Sequence, residues 1–184
     1  TLASTVARPG SVGRPLPGVE LRLVDEAGEE IDPEDGDPGE IWIRGRNLFS
    51  GYWPDGHDGP DADGWFATGD VGFVDDDGDL YLVDRRKDLI IVNGFNVYPR
   101  EIEMALMVHD SVVEAAVVGV PDDESGECVS AYVVLADGAS VTSDERAEHC
   151  ASRLARFKRP ATIERVDALP HSLTGKVAKG RLTD

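Results

Sequence analysis

The pattern of apolar and polar positions changes character about halfway along the chain. In the first half the two alternate in short runs, Val19-Glu20-Leu21-Arg22-Leu23-Val24 and then Glu40-Ile41-Trp42-Ile43-Arg44, which Gly45 ends. Alternation puts successive side chains on opposite faces of an extended backbone, so both runs predict half-buried β-strands. Shorter strands are predicted at residues 71–74 and 80–83, joined by the turn Asp75-Asp76-Asp77-Gly78. Between these runs lie loops rich in Gly, Pro and Asp, at residues 25–37 and 51–64. This half reads as a small antiparallel β unit.

Beyond Arg85 the pattern becomes mixed. Residues 89–92 and 95–98 flank Asn93-Gly94, a strong hairpin signal. Pro99 suits the first position of a helix, where its missing N–H costs nothing. Glu101 and Glu103 then fall in the first turn, favourably placed against the helix dipole, and Ile102, Leu106 and Met107 give one apolar side. Residues 112–120 and 128–135 predict two strands separated by a loop at 121–126. Thr142 with Glu145 forms a capping box for a helix running towards Leu154, and residues 162–166 predict a last strand before a short basic tail. The fold class is α+β: an antiparallel β subdomain over residues 1–84, then a compact α+β domain over 85–184.

Composition narrows the function. The hydrophobic content of 41% is ordinary for a globular chain, and the longest apolar runs, such as 112–120, are too short to span a bilayer. Thr1-Leu2-Ala3-Ser4-Thr5 lacks the charged start and apolar core of a signal peptide, so a cytoplasmic protein is expected. The net charge of -18, from 36 acidic and 18 basic residues, repels phosphate backbones and argues against nucleic-acid binding. Ten Asp fall between Asn47 and Asp84 with no Lys or Arg among them, the composition of solvated loops and turns. Cys128 and Cys150 stand far apart in apolar segments and read as small core residues. The four histidines are scattered singly, so no metal site is expected.

Three segments carry candidate chemistry. The first is Gly64-Trp65-Phe66-Ala67-Thr68-Gly69-Asp70, which by itself is only a turn sequence. The second runs from Asp84-Arg85-Arg86-Lys87-Asp88-Leu89-Ile90 through Asn93-Gly94-Phe95-Asn96-Val97-Tyr98-Pro99 to Glu101-Ile102-Glu103. The third is Pro170-His171-Ser172-Leu173-Thr174-Gly175-Lys176, followed by Lys179 and Arg181. In this order and at these separations, with Gly51-Tyr52-Trp53-Pro54 upstream, the set resembles the adenylate-forming superfamily. Its members include acyl-CoA synthetases, firefly luciferase and peptide-synthetase adenylation domains. The second segment is most similar to the fatty-acyl-CoA synthetase branch.

The resemblance implies the C-terminal part of a ligase that activates a carboxylic acid, a fatty acid by its branch, with ATP and passes the acyl group to coenzyme A. It implies that Asp70 accepts hydrogen bonds from the ribose hydroxyls of ATP and that Arg85 reaches the same ribose, while Arg86 is a surface residue. Lys87 falls at the hinge about which the second domain, a mobile lid, pivots. Lys176 matches the catalytic lysine, whose cation meets the acyl carboxylate and the α-phosphate, on a loop expected to be mobile. Gly94 and Phe95 match the border of the coenzyme A tunnel. Lys158 matches a segment near the coenzyme A phosphates, with a plain basic loop as the other reading. The phosphate-binding loop, the ligand for Mg2+ and the acyl pocket would belong to the rest of the ligase. Delivery to a carrier protein, by a fatty-acyl-AMP ligase or an adenylation domain, is the alternative within the superfamily. A non-catalytic binding module is the alternative outside it.

Overall fold

A computed structural model describes residues 8–183, so the opening segment Thr1 to Thr5 lies outside the described residues. Two compact units divide between Lys87 and Asp88, three residues beyond the boundary that the sequence pattern suggests. The shift has a physical origin. The strand that begins at Leu80 continues to Arg85, and a single 3-10 turn at Arg86–Asp88 separates it from the strand that opens the second unit.

The first unit is one antiparallel sheet. Its strands are β1 (Ser11–Gly13), β2 (Val19–Val24), β3 (Glu30–Ile31), β4 (Gly39–Gly45), β5 (Trp65–Val74) and β6 (Leu80–Arg85), in the order β1-β6-β5-β4-β2-β3. The very short β1 and β3 carry too few residues to show a period, so the sequence pattern does not reveal them. Leu23, Ile41 and Val71 are buried on the central strands. Arg22 lies over Trp42 and Trp65, 4.9 and 4.3 Å from the ring centroids, so cation–π contact extends the sheet's packing. Strand β5 is longer than its apolar run suggests. It begins at Trp65 and takes in the Thr68-Gly69-Asp70 turn sequence as a bulge.

The second unit contains β7 (Ile90–Val92), β8 (Phe95–Val97), α1 (Pro99–Met107), β9 (Val112–Asp122), β10 (Gly126–Leu135), α2 (Ser143–Ala151) and β11 (Thr162–Arg165). Strand β10 is central. It pairs with β9 antiparallel along its length, with β11 in parallel and with β7 at its start. The β9–β10 connection is tighter than expected, because the strands run on to Asp122 and Gly126. Ser125 closes it, giving N–H and Oγ hydrogen bonds to Asp122 at 2.8 and 2.6 Å.

Helix α1 starts with Pro99 at its first turn. It buries Ile102 and Leu106 with Val97, Val117, Val129 and Val133, but Met107, expected on the same side, is 46% exposed. Both halves of the Thr142–Glu145 capping box are formed at α2. Cys150 is buried, and burial pushes its thiol up, as it does for the partly covered Cys128. Cys150 is thus the small core residue expected, whereas Cys128 lies outside the buried core; a raised thiol is a poor nucleophile in either place.

Candidate functional site

Strand β5 carries the first cluster. Glu40 of β4 faces Val71, and Trp42 faces Ala67, so Ile41 alone stands opposite Thr68, Gly69 and Asp70. The extra residues bow out as a bulge, which breaks the ladder locally and re-aims a side chain. Gly69 takes φ of 74° with open space around its missing Cβ, so the torsion, and not crowding, calls for glycine there. Thr68 Oγ1 donates to the Ile41 carbonyl at 2.8 Å and accepts from the Asp70 N–H at 3.2 Å, which fixes the bulge from within.

Across the next ladder Asp70 pairs in register with Arg85 of β6. Arg85 Nε lies 3.4 Å from Asp70 Oδ1, with side chains 56% and 37% exposed. An ion pair this open is worth about 0–1 kcal/mol and leaves the second carboxylate oxygen and the remaining guanidinium N–H groups available. A pocket of about 560 Å³ beside them is lined by Thr68, Gly69, Arg85, Arg86 and Lys87. Lys87 is exposed in the turn Arg86–Asp88 and makes no ion pair among the described residues. Arg86 lies on the surface, as its place in the motif implies, but its Nη1 reaches the buried carboxylate of Glu40 at 2.6 Å.

In the second unit, the tip of the β7–β8 hairpin is Asn93-Gly94, with φ of 51° and 80°. Both values are positive, as a tight turn between twisted strands prefers. Asn93 N–H is anchored on the Ser125 carbonyl at 2.9 Å. Phe95 is 55% exposed and stacks on Phe157 at 4.8 Å between centroids. A groove of about 450 Å³ runs past Asn93, Ser125, Cys128, Arg156, Phe157 and Arg159. Lys158 does not line it. Its Nζ sits on both carboxylate oxygens of Glu101, at 2.9 and 2.7 Å. Arg159 gives its N–H groups to the carbonyls of Leu154 and Ala151. Arg156 is exposed and has no ion pair among the described residues, so it is the cation the groove leaves uncommitted.

Lys176 lies elsewhere in the second unit. Its loop is a short hairpin: Ser172 N–H donates to the Lys176 carbonyl at 2.8 Å, Gly175 N–H to Ser172 at 2.9 Å and Ala178 N–H to Pro170 at 2.7 Å. Each leg is tied down. His171 Nε2 lies 3.2 Å from Glu114 Oε1, and Lys179 Nζ lies 2.7 Å from Glu103 Oε1, which also accepts the Val117 N–H at 2.9 Å. The Lys176 side chain is exposed and makes no ion pair among the described residues. The sequence offers one clue to these fastenings. Glu101 and Glu103 are two positions apart on a helix, hence on different faces, and each meets its own lysine. Among the described residues no three His, Cys, Asp or Glu side chains gather as a metal site, and no helix is long and apolar enough to cross a membrane.

Comparison with known proteins divides along the same two units. Residues 1–53 match the model of the AMP-binding enzyme family, and residues 101–176 match that of the AMP-binding enzyme C-terminal domain. A long-chain-fatty-acid–CoA ligase of Yersinia pestis is 47% identical over 177 residues, 95% of this chain and 31% of that protein. The chain thus spans about a third of the length of the curated relatives it matches. Among solved structures, ATP-bound MatB from Rhodopseudomonas palustris is similar at a TM-score of 0.88 and 41% identity, over 97% of this chain and 36% of that one. The amide bond synthetase McbA from Marinactinospora thermotolerans is similar at 0.84 and 42% identity, over 94% and 36%.

Proposed function

Because the chain belongs to the AMP-binding enzyme family, we propose that it is the C-terminal part of an acyl-CoA synthetase: the end of the large domain up to Lys87, then a lid that moves. The carboxylate oxygen of the acid attacks the α-phosphorus of ATP and the bond to the departing pyrophosphate breaks. The thiol sulfur of coenzyme A then attacks the acyl carbon and releases AMP. The acid is a fatty acid in this reading, which the naming of the Yersinia pestis relative supports. The compartment proposed is the cytoplasm.

The observation that carries the reading is the bulge of β5, which sets Asp70 opposite Arg85, itself part of the lining of a pocket with Thr68 and Gly69. A carboxylate is acceptor-only and can take both hydroxyls of a ribose, while the guanidinium supplies donors beside it. Lys176 brings an uncommitted ammonium to the carboxylate and the α-phosphate, where negative charge must be met as pyrophosphate leaves. Lys87 is the pivot. Gly94 and Phe95 border the pantetheine arm of coenzyme A, and Arg156 takes the place of Lys158 as the cation for its phosphates. Mg2+ accompanies ATP, and its protein ligand belongs to the family's N-terminal region.

The McbA relative favours a second reading of the acceptor alone, in which an amine replaces the thiol. A non-catalytic module is disfavoured because Asp70, Arg85 and Lys176 all keep side chains suited to ATP.

The test separates the half-reactions in a full-length enzyme carrying this segment. Lys87→Pro fixes a backbone torsion and should leave pyrophosphate release intact while slowing thioester formation from supplied acyl-adenylate. Lys176→Ala should do the opposite. Loss of the same half-reaction in both variants would overturn the alternation, and product formation with an amine in place of coenzyme A would select the second reading.

A further inference from the structure

Arg86 stands between two residues with proposed roles, yet its side chain serves neither directly. Its Nη1 lies 2.6 Å from Glu40 Oε2, and the Glu40 side chain is only 6% exposed. Trp42 Nε1 donates to the same oxygen at 3.0 Å. A carboxylate taken out of water needs such donors, because an unpaired buried charge is strongly unfavourable. Glu40 belongs to β4 and Arg86 comes directly after β6, so the pair bridges over β5, which lies between them.

The place where it crosses is informative. At Thr68 to Asp70 the β4–β5 ladder is interrupted by the bulge, and at Arg85 the β5–β6 ladder ends, because the 3-10 turn begins at Arg86. Asp70 and Arg85 therefore face each other where ladder bonds have run out on one side and are about to run out on the other. Their backbone N–H groups also meet local side chains: the Asp70 N–H donates to Thr68 Oγ1 and the Arg85 N–H to Asp84 Oδ1. Strand ends of this kind fray, and a fastening across the bulge opposes it.

We propose that Arg86 is a positioning residue: its ion pair with Glu40 fastens the end of β6 across the β5 bulge, holding Arg85 opposite Asp70 and giving the chain its last fixed point before Lys87. The inference rests on the reading of Asp70 and Arg85 as nucleotide contacts for its effect on catalysis, but not for its effect on structure.

Two measurements separate these. In this chain, hydrogen exchange of the Asp70 and Arg85 amides should speed up about tenfold in Arg86→Ala. The Leu23 amide, in the sheet's core, should be unchanged, and Arg86→Lys should recover part of the protection. Unaltered exchange at Asp70 and Arg85, or equal acceleration at Leu23, overturns the proposal. In a full-length enzyme carrying this segment, Arg86→Ala should raise the KM for ATP about tenfold, with kcat and the KM for the acid nearly unchanged. In an Asp70→Ala background the same substitution should add nothing, since residues acting through one another are not additive. A full additional rise in that background overturns the proposal. If Asp70→Ala alone leaves the KM for ATP unchanged, the ribose reading fails, and the exchange measurement still decides for or against the fastening.

Discussion

Replacing Glu103 with Ala should destabilise the second unit far more than replacing its neighbour Glu101. The Glu103 side chain is 15% exposed, and its Oε1 accepts the Val117 N–H at 2.9 Å as well as the Lys179 ammonium at 2.7 Å. Truncation leaves the N–H of the fully buried Val117 without this acceptor, at a cost of about 1–3 kcal/mol. Lys179 is 24% exposed and has a flexible stem, so its ammonium can turn to water. Its loss adds about 1 kcal/mol, well short of the 3–5 kcal/mol of a fully buried pair. The total is about 2–4 kcal/mol. Glu103→Gln keeps an acceptor for Val117 and should cost about 1 kcal/mol. Glu101 holds Lys158 with both oxygens but is 39% exposed, so Glu101→Ala should cost no more than about 1 kcal/mol.

Calorimetry of the four proteins should resolve this order. A unit of this size loses about 4–8 °C in Tm per kcal/mol, which places Glu103→Ala about 10 °C or more below the parent. If Glu103→Ala and Glu101→Ala shift the transition equally, the backbone N–H is not what Glu103 serves. If Glu103→Gln is as damaging as Glu103→Ala, charge and not acceptor geometry dominates.

Side-chain environments set two further outcomes. Brief treatment with an amine-reactive acetylating reagent should modify Lys87 and Lys176 first, with Lys158 and Lys179 trailing because each is held on a glutamate; peptide mass spectrometry that finds all four at equal rates would remove the basis for treating Lys176 as uncommitted. Stability to urea should hold from about pH 7 to 5 and fall below about pH 4. Asp75, Asp122 and Glu145 accept hydrogen bonds, first from the Asp79 backbone, the Ser125 side chain and the Thr142 backbone respectively, which hold them below their ordinary values of 3.8, 3.8 and 4.5. A lowered folded pKa stabilises the fold above the unfolded value and is lost as pH falls through the folded one, so an unchanged urea midpoint at pH 2.5 would refute the assignment.

Much of the fold is legible in the sequence because its signals are local. The Thr142–Glu145 box, Pro99 at the start of α1 and Asn93-Gly94 at a positive-φ turn each involve residues within one turn of each other. The alternating runs of β2 and β4 declare themselves for the same reason. What stays hidden depends on partners distant in sequence. Gly69 beside Asp70 suggests a tight turn, but only the pairing of β5 with β4 makes those residues a bulge inside a strand. Arg86 looks dispensable in the sequence because its partner, Glu40, is 46 positions away. Lys158 resembles a phosphate ligand until the fold brings it to Glu101, 57 positions earlier. Met107 departs from expectation for a geometric reason: Ile102 and Leu106 are four apart and share a face, whereas Met107 comes one residue after Leu106 and is carried round the helix.

The acidic composition gives the remaining free cations their meaning. With 36 acidic residues against 18 basic ones, a lysine placed at random on this surface would find a carboxylate nearby, and Lys158 and Lys179 do. Lys176 escapes because no Asp or Glu occurs anywhere in residues 168–183, and because its hairpin is tied at His171 and Lys179, on either side of it, leaving the tip clear. The same ties consume Glu114 and Glu103, the acids that approach that hairpin. A cation kept unpaired in a chain of net charge -18 is available to a ligand's negative charge without first breaking an ion pair, as the role proposed for Lys176 requires. A carboxylate brought near it, as in Leu173→Glu on the fully exposed turn, should therefore weaken adenylation in a full-length enzyme while leaving the fold's stability unchanged.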